Sequence, residues 1–469
     1  MIRGANYSGL FNDKRLETRG VNLLGSLMRL GSQSIQAISE SRAEQKGYYR
    51  LLRNKKVDES SIIKEITGRC GLNCRDKVVL AIQDTTEINL SSHRNRIKYD
   101  ESLGRINDNF DGIGFKLHPS LVVDAHTCYP YGYGAVDMWS REHVRKEKTS
   151  YRHRILDVSE KETNVWVASR NSMRDNLKEA HTVISVQDRE GDFYEQFAAD
   201  ANDGKFFLLI RSNHNRKLTE GIKLWDHIAQ QPVSGTYQVI ICPQHKGKRG
   251  KPRAATIAVK IAQVSLKKPQ KKNKEIPESS VALTVIEARE ITPGCEEPVL
   301  WRLYTTWPVE TFEDACQVIE WYSWRWMIEE VFKVLKKECF NIEASELESG
   351  WAIRKLTLML LDTIVKLFQM SIAYNMPEGE APDTQSMFCS DEIACLDKVN
   401  QKVQGKTQKL SNPCDKTKLS WAFWILARLG GWKGYASQTK PGFATLINGL
   451  KKFYAIHQGF SIEKDVGTQ

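Results

Sequence analysis

A mixed α/β fold, with a β-rich centre between two helical ends, is predicted by three features of the 469-residue sequence. Apolar runs of strand length, VVLAIQ, TVISVQ and FFLLIR, recur through its first half. Before them, VNLLGSLMRL and SSIIKEITGRC carry apolar residues at helical spacing. From residue 350 onward the pattern is again mostly helical. Strands and helices therefore share one chain in separate blocks.

These patterns divide the chain into three predicted domains. Residues 1–70 form a helical N-terminal domain, residues 71–370 an α/β domain, and residues 371–469 a helical C-terminal domain. Within the second domain, TYQVII, ATIAVKIAQVSL and SVALTVIEARE predict strands, because turns rich in Pro, Gly and Lys separate them. We therefore expect a β-rich insertion at about 195–310.

Composition argues against several classes of protein. The N-terminal sequence MIRGANYSGLFNDKR has no apolar run of signal-peptide length. The most apolar segment, LTLMLLDTIVKLF, is too short to cross a bilayer and is interrupted by Asp362 and Lys366. The cysteines show no zinc-site spacing, and no G-x-x-x-x-G-K-[ST] motif is present. We expect a soluble protein of a reducing compartment, with no membrane partner and no nucleotide cofactor.

Net positive charge is concentrated in one short segment. The formal charge is +11, and residues 242–275 contain eleven Lys or Arg against one Glu. A patch of this density indicates a polyanion, and nucleic acid fits better than lipid because no amphipathic anchor accompanies it. A solvated loop with no ligand is the alternative.

The segment WYSWRWMIEEVFKVLKKECF, residues 321–340, has no Pro or Gly and predicts a single helix. One stripe of this helix collects Tyr322, Arg325, Glu329, Lys333 and Lys336. The opposite face is apolar and consists of Trp324, Ile328, Val331 and Leu335. Alone, the pattern fits an ordinary surface helix with an i,i+4 pair between Glu329 and Lys333. Trp326 falls on the polar side, where a core tryptophan would be misplaced.

Two predicted strands end in the same way, because Asp84 follows VVLAIQ and Asp188 follows TVISVQ. The ends of buried strands are a common place for site residues, although either Asp alone is explained as the polar residue at a strand's exit. With Glu329 on a helix packed beside them, three carboxylates suit two divalent cations for phosphoryl transfer. Hard oxygen ligands favour Mg²⁺ or Mn²⁺ over zinc.

The order of these motifs resembles that of a known family. Tyr322, Arg325, Glu329 and Lys336 have the spacing Y-x2-R-x3-E-x6-K. This is similar to the YREK signature of the insertion-sequence-four family of bacterial DDE transposases. The sequence AIQDTT resembles the family's D-T-T motif, and VQDREGD resembles its D-R-E-x-D motif. Further similar segments are YYRLLRN at 48–54, RSNH at 211–214, LWRLYTT at 300–306 and WAFWILARLGG at 421–431.

The resemblance implies an RNase H-like catalytic core, with Asp84 and Asp188 on adjacent strands and Glu329 on a helix after the β-rich insertion. It implies that the N-terminal domain binds DNA and that the C-terminal domain serves dimerisation. The implied partners are double-stranded DNA, as transposon inverted-repeat ends and target DNA, and a second copy of the chain in a homodimeric synaptic complex. The implied location is the bacterial cytoplasm, at the nucleoid.

Site roles also follow from the resemblance. Asp84, Asp188 and Glu329 are the implied catalytic residues and the ligands of two Mg²⁺ or Mn²⁺ ions per active site. Trp301 corresponds to a tryptophan that stacks on a base flipped from the duplex, and Trp326 to one beside the signature's arginine. The other implied DNA contacts are Tyr322, Arg325, Lys333, Lys336, Arg211, Arg50, Arg19 and Arg29.

The sequence departs from the family at two places. GFKLH stands where the family has two tryptophans after its first motif, so no role is carried over there. The basic loops at 246–253 and 267–274 differ from the family in composition and length, and no contact is assigned to them either.

The implied reaction is cut-and-paste transposition. Water nicks one strand at the transposon end, the freed 3′-hydroxyl forms a hairpin with the opposite strand, and the reopened end attacks target DNA. Two alternatives use the same scaffold: a non-catalytic DNA-binding transposition inhibitor and a host DNA nuclease. A glycosidase-like carboxylate pair fits less well, because Lys and Arg suit phosphate better than sugar.

Overall fold

The structure is a computed structural model of the chain. It describes residues 5–97, 101–106, 112–141, 162–199, 204–241, 244–245, 248–249, 252–269, 279–294, 298–377, 379–405, 407–435 and 438–466. Part of the basic segment, including half of the loop at 246–253 and most of the loop at 267–274, lies outside these residues.

Helices occupy both ends of the chain and cover the central sheet. In chain order they are α1 Lys14–Leu30, α2 Arg42–Arg53, α3 Glu59–Asn73, α4 Asn164–Asn176, α5 Tyr194–Ala199, α6 Leu224–Gln230, α7 Phe312–Ser323, α8 Trp326–Lys333, α9 Gly350–Ala373, α10 Ser390–Val403, α11 Leu419–Leu429 and α12 Phe443–Val466.

The strands lie between α3 and α7. They are β1 Val78–Gln83, β2 Thr86–Asn89, β3 Gly104–Arg105, β4 Ile113–Asp124, β5 Pro130–Trp139, β6 Thr182–Gln187, β7 Phe206–Arg211, β8 Gly235–Ile241, β9 Gln244–His245, β10 Lys248–Arg249, β11 Arg253–Lys267, β12 Ser280–Glu290 and β13 Leu300–Thr305.

Eleven of the strands in the described part of the chain form one mixed sheet. Its order is β2-β4-β1-β6-β7-β13-β12-β11-β8, and β3 and β5 also pair with β4. β6 runs parallel to both β1 and β7, whereas β4 is antiparallel to β1. The later strands continue this sheet beyond β7, so the β-rich segment is an extension of the central sheet.

The register of β1 and β6 brings their ends together. Ile82 on β1 pairs with Val186 on β6, and each lies two residues before an aspartate. Both strands are buried almost throughout, as their continuous apolar sequences predict. Because parallel strands end at the same edge of a sheet, Asp84 and Asp188 leave the core side by side.

The helical ends pack onto this sheet around α9. The side chain of Asp13 caps the start of α1, and Gly31 ends it in a left-handed conformation at φ 53°. α9 is long and apolar enough to cross a membrane, but 89% of its most apolar window is buried inside the protein. The buried Asp362 on α9 pairs at 2.8 Å with Arg69 on α3, which ties the N-terminal helices to the core.

The predicted single helix over 321–340 is wrong. α7 ends at Ser323, α8 begins at Trp326, and a π-helical turn follows at Val334–Glu338. At the break, the Arg325 N–H bonds to the Tyr322 carbonyl, a tighter turn than that of an α-helix. Angles measured along one continuous helix therefore do not apply across Trp324 and Arg325.

Side-chain contacts also differ from the surface-helix interpretation. Tyr322 is buried at 4% exposure instead of facing water. Glu329 pairs with Arg325, and Lys333 pairs with Glu330 and Glu338, so the expected Glu329–Lys333 pair is absent from the described ion pairs. The apolar face is confirmed for the buried Ile328, Val331 and Leu335.

Candidate active site

The two aspartates are held at the sheet edge by local backbone geometry. The Asp84 carboxylate accepts a hydrogen bond from the Thr85 N–H at 2.8 Å. The Asp188 carboxylate accepts one from the Glu190 N–H at 2.7 Å and so caps a short 3₁₀ turn. Gly191 closes this turn, because a Cβ there would lie 2.2 Å from the Gln187 side-chain oxygen.

Arg325 joins the sheet edge to α8. Its Nη1 donates to Asp84 Oδ2 at 3.0 Å, and its Nη2 donates to Glu329 Oε1 at 2.5 Å. The guanidinium therefore lies between a carboxylate from β1 and a carboxylate from α8. The break between α7 and α8 places Arg325 at the first turn of the new helix, from which it reaches both.

The electrostatics indicate that negative charge is crowded at this edge. Burial and, next, the charge of Asp188 raise the pKa of Asp84 to about 7, with a smaller contribution from Glu329. The Thr85 N–H and Arg325 act in the opposite direction. Burial and the charge of Asp188 also raise the pKa of Glu190. The carboxylates are thus close enough to interact, and they would be stabilised by added positive charge.

The donor set suits a divalent cation in its chemistry. The side chains at the edge offer carboxylate oxygens, the ligands that Mg²⁺ and Mn²⁺ prefer. The Arg325 guanidinium already lies between two of these carboxylates, as a cation would. As they stand, no three Asp, Glu, His or Cys side chains within the described ranges are grouped closely enough to hold a metal.

Tyr322, Trp301 and Arg211 form a second group beside the carboxylates. The rings of Trp301 and Tyr322 meet edge to face, with centroids 5.2 Å apart. The charges of Arg325 and Arg211 both act on the Tyr322 phenol, in opposition to burial, so the two guanidinium groups lie near it. Burial raises the pKa of Tyr322. Three residues distant in sequence are therefore brought together at one end of β13 and β7.

The two lysines predicted on the polar stripe, Lys333 and Lys336, are engaged with protein groups. Lys336 Nζ donates to the Glu87 carbonyl at 2.7 Å and pairs with Glu343 at 3.4 Å. Lys333 is about half exposed and pairs with two glutamates of its own helical segment. Trp326, next to Arg325, is 47% exposed. Trp326 and Lys333 are thus the more accessible of these side chains.

The predicted arginines of the N-terminal domain lie on α1 and α2. Arg19 lines a cleft between these helices with Lys14 and Arg15. Arg29 bonds to Ser26 at 3.2 Å and approaches Glu40, whereas Arg50 is exposed at the end of α2. No described contact joins these three predicted arginines to the carboxylates.

Two segments of the chain match models of known protein families. Residues 9–57 match the family model for transposase DNA-binding, and residues 144–364 match the family model for the transposase DDE domain. The chain carries a DDE transposase domain. Asp188 and Glu329 lie inside the matched range, and Asp84 precedes it. Together with the mixed α/β sheet, the DDE domain confirms the predicted RNase H-like core.

The central sheet contains a buried polar network beneath the aspartates that sequence reasoning missed. Gln83 and Gln187 both donate to the Ser185 hydroxyl, at 2.9 and 3.0 Å. Gln187 in turn accepts from the Gln196 amide at 2.8 Å. His118 extends the network, because its Nε2 lies 3.2 Å from the Gln83 side-chain oxygen. The repeated Q-D at the ends of both strands was the available signal.

A second missed residue is Asp192 of the VQDREGD motif. Its fully buried carboxylate accepts from Arg216 Nε at 2.8 Å and from the backbone N–H groups of Asn213 and His214 at 2.6 and 2.9 Å. It therefore fixes the segment after β7 to the turn that follows Asp188. Only the fold reveals this pairing, since Arg216 lies 24 residues further along the chain.

Acid should destabilise the central sheet through His118, which lies on β4. Burial lowers the pKa of His118 to about 3. Below pH 6.5, His118 is therefore protonated in the unfolded chain but stays neutral in the native protein. The stability contributed by neutral His118 is complete above about pH 6.5 and is lost as the pH falls toward 3. Between pH 7.5 and 5.0 the loss should be about 2 kcal/mol.

A comparison with His118→Gln in thermal melts isolates this effect. Asp84 acts in the opposite sense, because its raised pKa relieves repulsion as the pH falls. On acidification to pH 5.0, the melting temperature of the variant should therefore improve relative to that of the unmodified protein. Parallel pH dependences of the two proteins would contradict the prediction.

Proposed function

We propose that this chain is a cut-and-paste DNA transposase of the insertion-sequence-four type, with the YREK signature. The observation that carries the proposal is the meeting of Asp84 and Asp188 at the ends of neighbouring parallel strands, with Arg325 linking Asp84 to Glu329. Its support from family comparison is the DDE domain together with the transposase DNA-binding match.

In this proposal Asp84, Asp188 and Glu329 are the catalytic carboxylates and hold two Mg²⁺ or Mn²⁺ ions. When bound, such ions activate an attacking oxygen and stabilise the leaving oxygen of an in-line displacement. Arg325 orients the scissile phosphate by donating hydrogen bonds to its non-bridging oxygens, and Arg211 contacts the DNA beside it. The Tyr322 hydroxyl, which lies near both arginines, donates a hydrogen bond to the scissile phosphate.

The proposed sequence has four displacements at phosphorus: strand nicking, hairpin formation, hairpin opening and transfer to target DNA. Trp301 would stack on the base unpaired in the hairpin, since an aromatic face compensates for lost base stacking. Trp326, exposed beside Arg325, supplies a second aromatic surface. Lys333, Lys336, Arg19, Arg29 and Arg50 would contact the DNA backbone.

The proposal extends to organisation and setting. The predicted domain boundaries, at about residues 70 and 370, separate DNA binding, catalysis and a C-terminal domain for dimerisation. Two transposon ends must be cut and joined together, which calls for a homodimer on two ends. The protein would act in the cytoplasm, on the nucleoid, as a soluble enzyme.

The test is a cleavage assay with purified protein, Mg²⁺ and a duplex carrying the terminal sequence that flanks its gene. Nicked, hairpin and joined products are expected. Nicks without joined products would favour a host nuclease, and selective binding without any cleavage would favour a transposition inhibitor.

Replacing Lys336 by alanine should weaken the complex with this duplex. If Lys336 neutralises one phosphate, the slope of log affinity against log salt should become shallower by about 0.9. Fluorescence anisotropy at several salt concentrations measures the slope, and Lys402→Ala, an exposed lysine of α10, is the matched control. A slope equal to that of the unmodified protein would limit Lys336 to its bond with the Glu87 carbonyl.

A further inference from the structure

A basic cavity of about 300 Å³ opens beside the carboxylate edge. Its lining includes Arg189, Arg211, Asn213, Trp225 and Arg302, which we call the arginine pocket. Arg189 directly follows Asp188, and the pocket therefore adjoins the proposed site of cleavage. None of the described residues that line the pocket is acidic.

One of the three arginines is neutralised by the protein. Arg302 Nε donates to Glu287 Oε2 at 2.7 Å, and its guanidinium lies over the Trp225 ring, 4.8 Å from the ring centroid. The side chains of Arg302 and Glu287 are 17% and 2% exposed. This stacked and paired arginine is consequently a rigid wall of the pocket.

The other two arginines have no carboxylate partner among the described ion pairs. Arg211 donates weakly to the Leu300 carbonyl at 3.5 Å, and its guanidinium lies near the Tyr322 phenol. Arg189 is exposed at the turn after β6. The two are close enough that the charge of Arg189, after burial, contributes to lowering the pKa of Arg211. Like charges held together without a counter-ion are stabilised by an anion.

We propose that the arginine pocket binds one backbone phosphate of the transposon end, adjacent to the phosphate that is cut. Arg189, Arg211 and the exposed side-chain amide of Asn213 donate to its oxygens. A phosphodiester fits because it brings one negative charge and only hydrogen-bond acceptors to a wall of donors. The inference rests on the proposed function, since it assigns the pocket's ligand to the DNA of that reaction.

Asp192 sets the geometry of this contact. It holds the Asn213 N–H at 2.6 Å and lies four residues after Asp188 on the same turn. One turn thus carries the proposed metal ligand, the pocket's Arg189 and the anchor of Asn213. The bound phosphate would fix the register of the strand relative to Asp188, which makes Arg189 a positioning residue.

The experiment pairs a protein change with a change in DNA charge. End duplexes carry an uncharged methylphosphonate at one position at a time, and their affinities for the full chain are measured without Mg²⁺. For the unmodified protein, neutralising the bound phosphate should weaken binding by about tenfold, the size of one charge-assisted hydrogen bond. For Arg189→Ala, that same methylphosphonate should cost less than about twofold.

The controls separate the possible failures. Arg75→Ala removes an exposed arginine outside the pocket and should retain the full penalty at every position. Arg189→Ala should have the same melting temperature as the unmodified protein, because the Arg189 side chain makes no described hydrogen bond or ion pair. If Arg189→Ala retains every positional penalty while the unmodified protein cleaves DNA, the pocket proposal is overturned and the transposase stands. If the coupling appears but no strand is cut, the proposed function fails instead.

Discussion

Replacement of Asp188 by alanine is expected to reduce strand cleavage by at least about a thousandfold, equivalent to about 4 kcal/mol in the barrier. Asp188 lies at the end of a buried strand beside Asp84, and its charge contributes to raising the pKa of Asp84. Loss of one carboxylate would remove a proposed ligand of the ions that activate the attacking oxygen. Binding to the end duplex should change by less than about twofold, because phosphate contacts are supplied by other side chains.

Two companion variants make this result specific. Asp188 also accepts the Glu190 N–H, so alanine removes a cap as well as a charge. Asp188→Asn can keep that hydrogen bond but not the negative charge, and it should be equally inactive with an unchanged melting temperature. Asp226→Ala, an exposed aspartate on α6, should retain full activity. Robust cleavage by Asp188→Asn would remove this residue from the catalytic set.

The largest effect on stability is expected for Asp192→Ala. Its carboxylate is fully buried, and the side chain of its partner Arg216 is 12% exposed. Removing the acid leaves a nearly buried guanidinium and two backbone N–H groups without their acceptor. Breaking a buried pair on one side costs about 3–5 kcal/mol. A clear fall in the midpoint of urea unfolding, followed by tryptophan fluorescence, measures this change.

The double variant Asp192→Ala with Arg216→Met tests the cause. Removing both charges eliminates the unpaired cation, so the double variant should be more stable than Asp192→Ala alone. A double variant that is less stable than either single variant would show that the charges contribute little. The fall in midpoint caused by Asp192→Ala should be the same with and without Mg²⁺, because Asp192 faces Arg216 rather than the carboxylate edge.

The sequence predicted the core strands and their order well, because β1, β6 and β7 are continuous apolar runs with clear ends. It also predicted that Asp84 and Asp188 lie together, since both follow buried strands. The backbone path around Tyr322 and Arg325 was harder to predict from the sequence. Nothing in the composition of residues 321–340 distinguishes one long helix from two short helices that meet at a turn, because tertiary contacts decide the break.

The partners of the site residues could not be read from spacing alone. Arg325 reaches Asp84 across 241 residues of sequence, and Lys336 reaches the Glu87 carbonyl across 249. Such pairs depend on how α8 packs against the sheet. The same applies to Asp192 and Arg216, although the motif that contains Asp192 was visible. Local patterns identified candidate residues, whereas their hydrogen bonds required the fold.

The polar network beneath the aspartates has a consequence for strand alignment. β1 and β6 are apolar on both faces, so burial alone would tolerate slippage of one strand along the other. A shift of two residues would take the amide of Gln83 away from Ser185 and leave it unpaired, at a cost of about 1–3 kcal/mol. It would also separate Asp84 from Asp188 by about 7 Å along the sheet. The buried glutamines therefore fix the alignment of β1 with β6, and with it the distance between the two proposed catalytic aspartates.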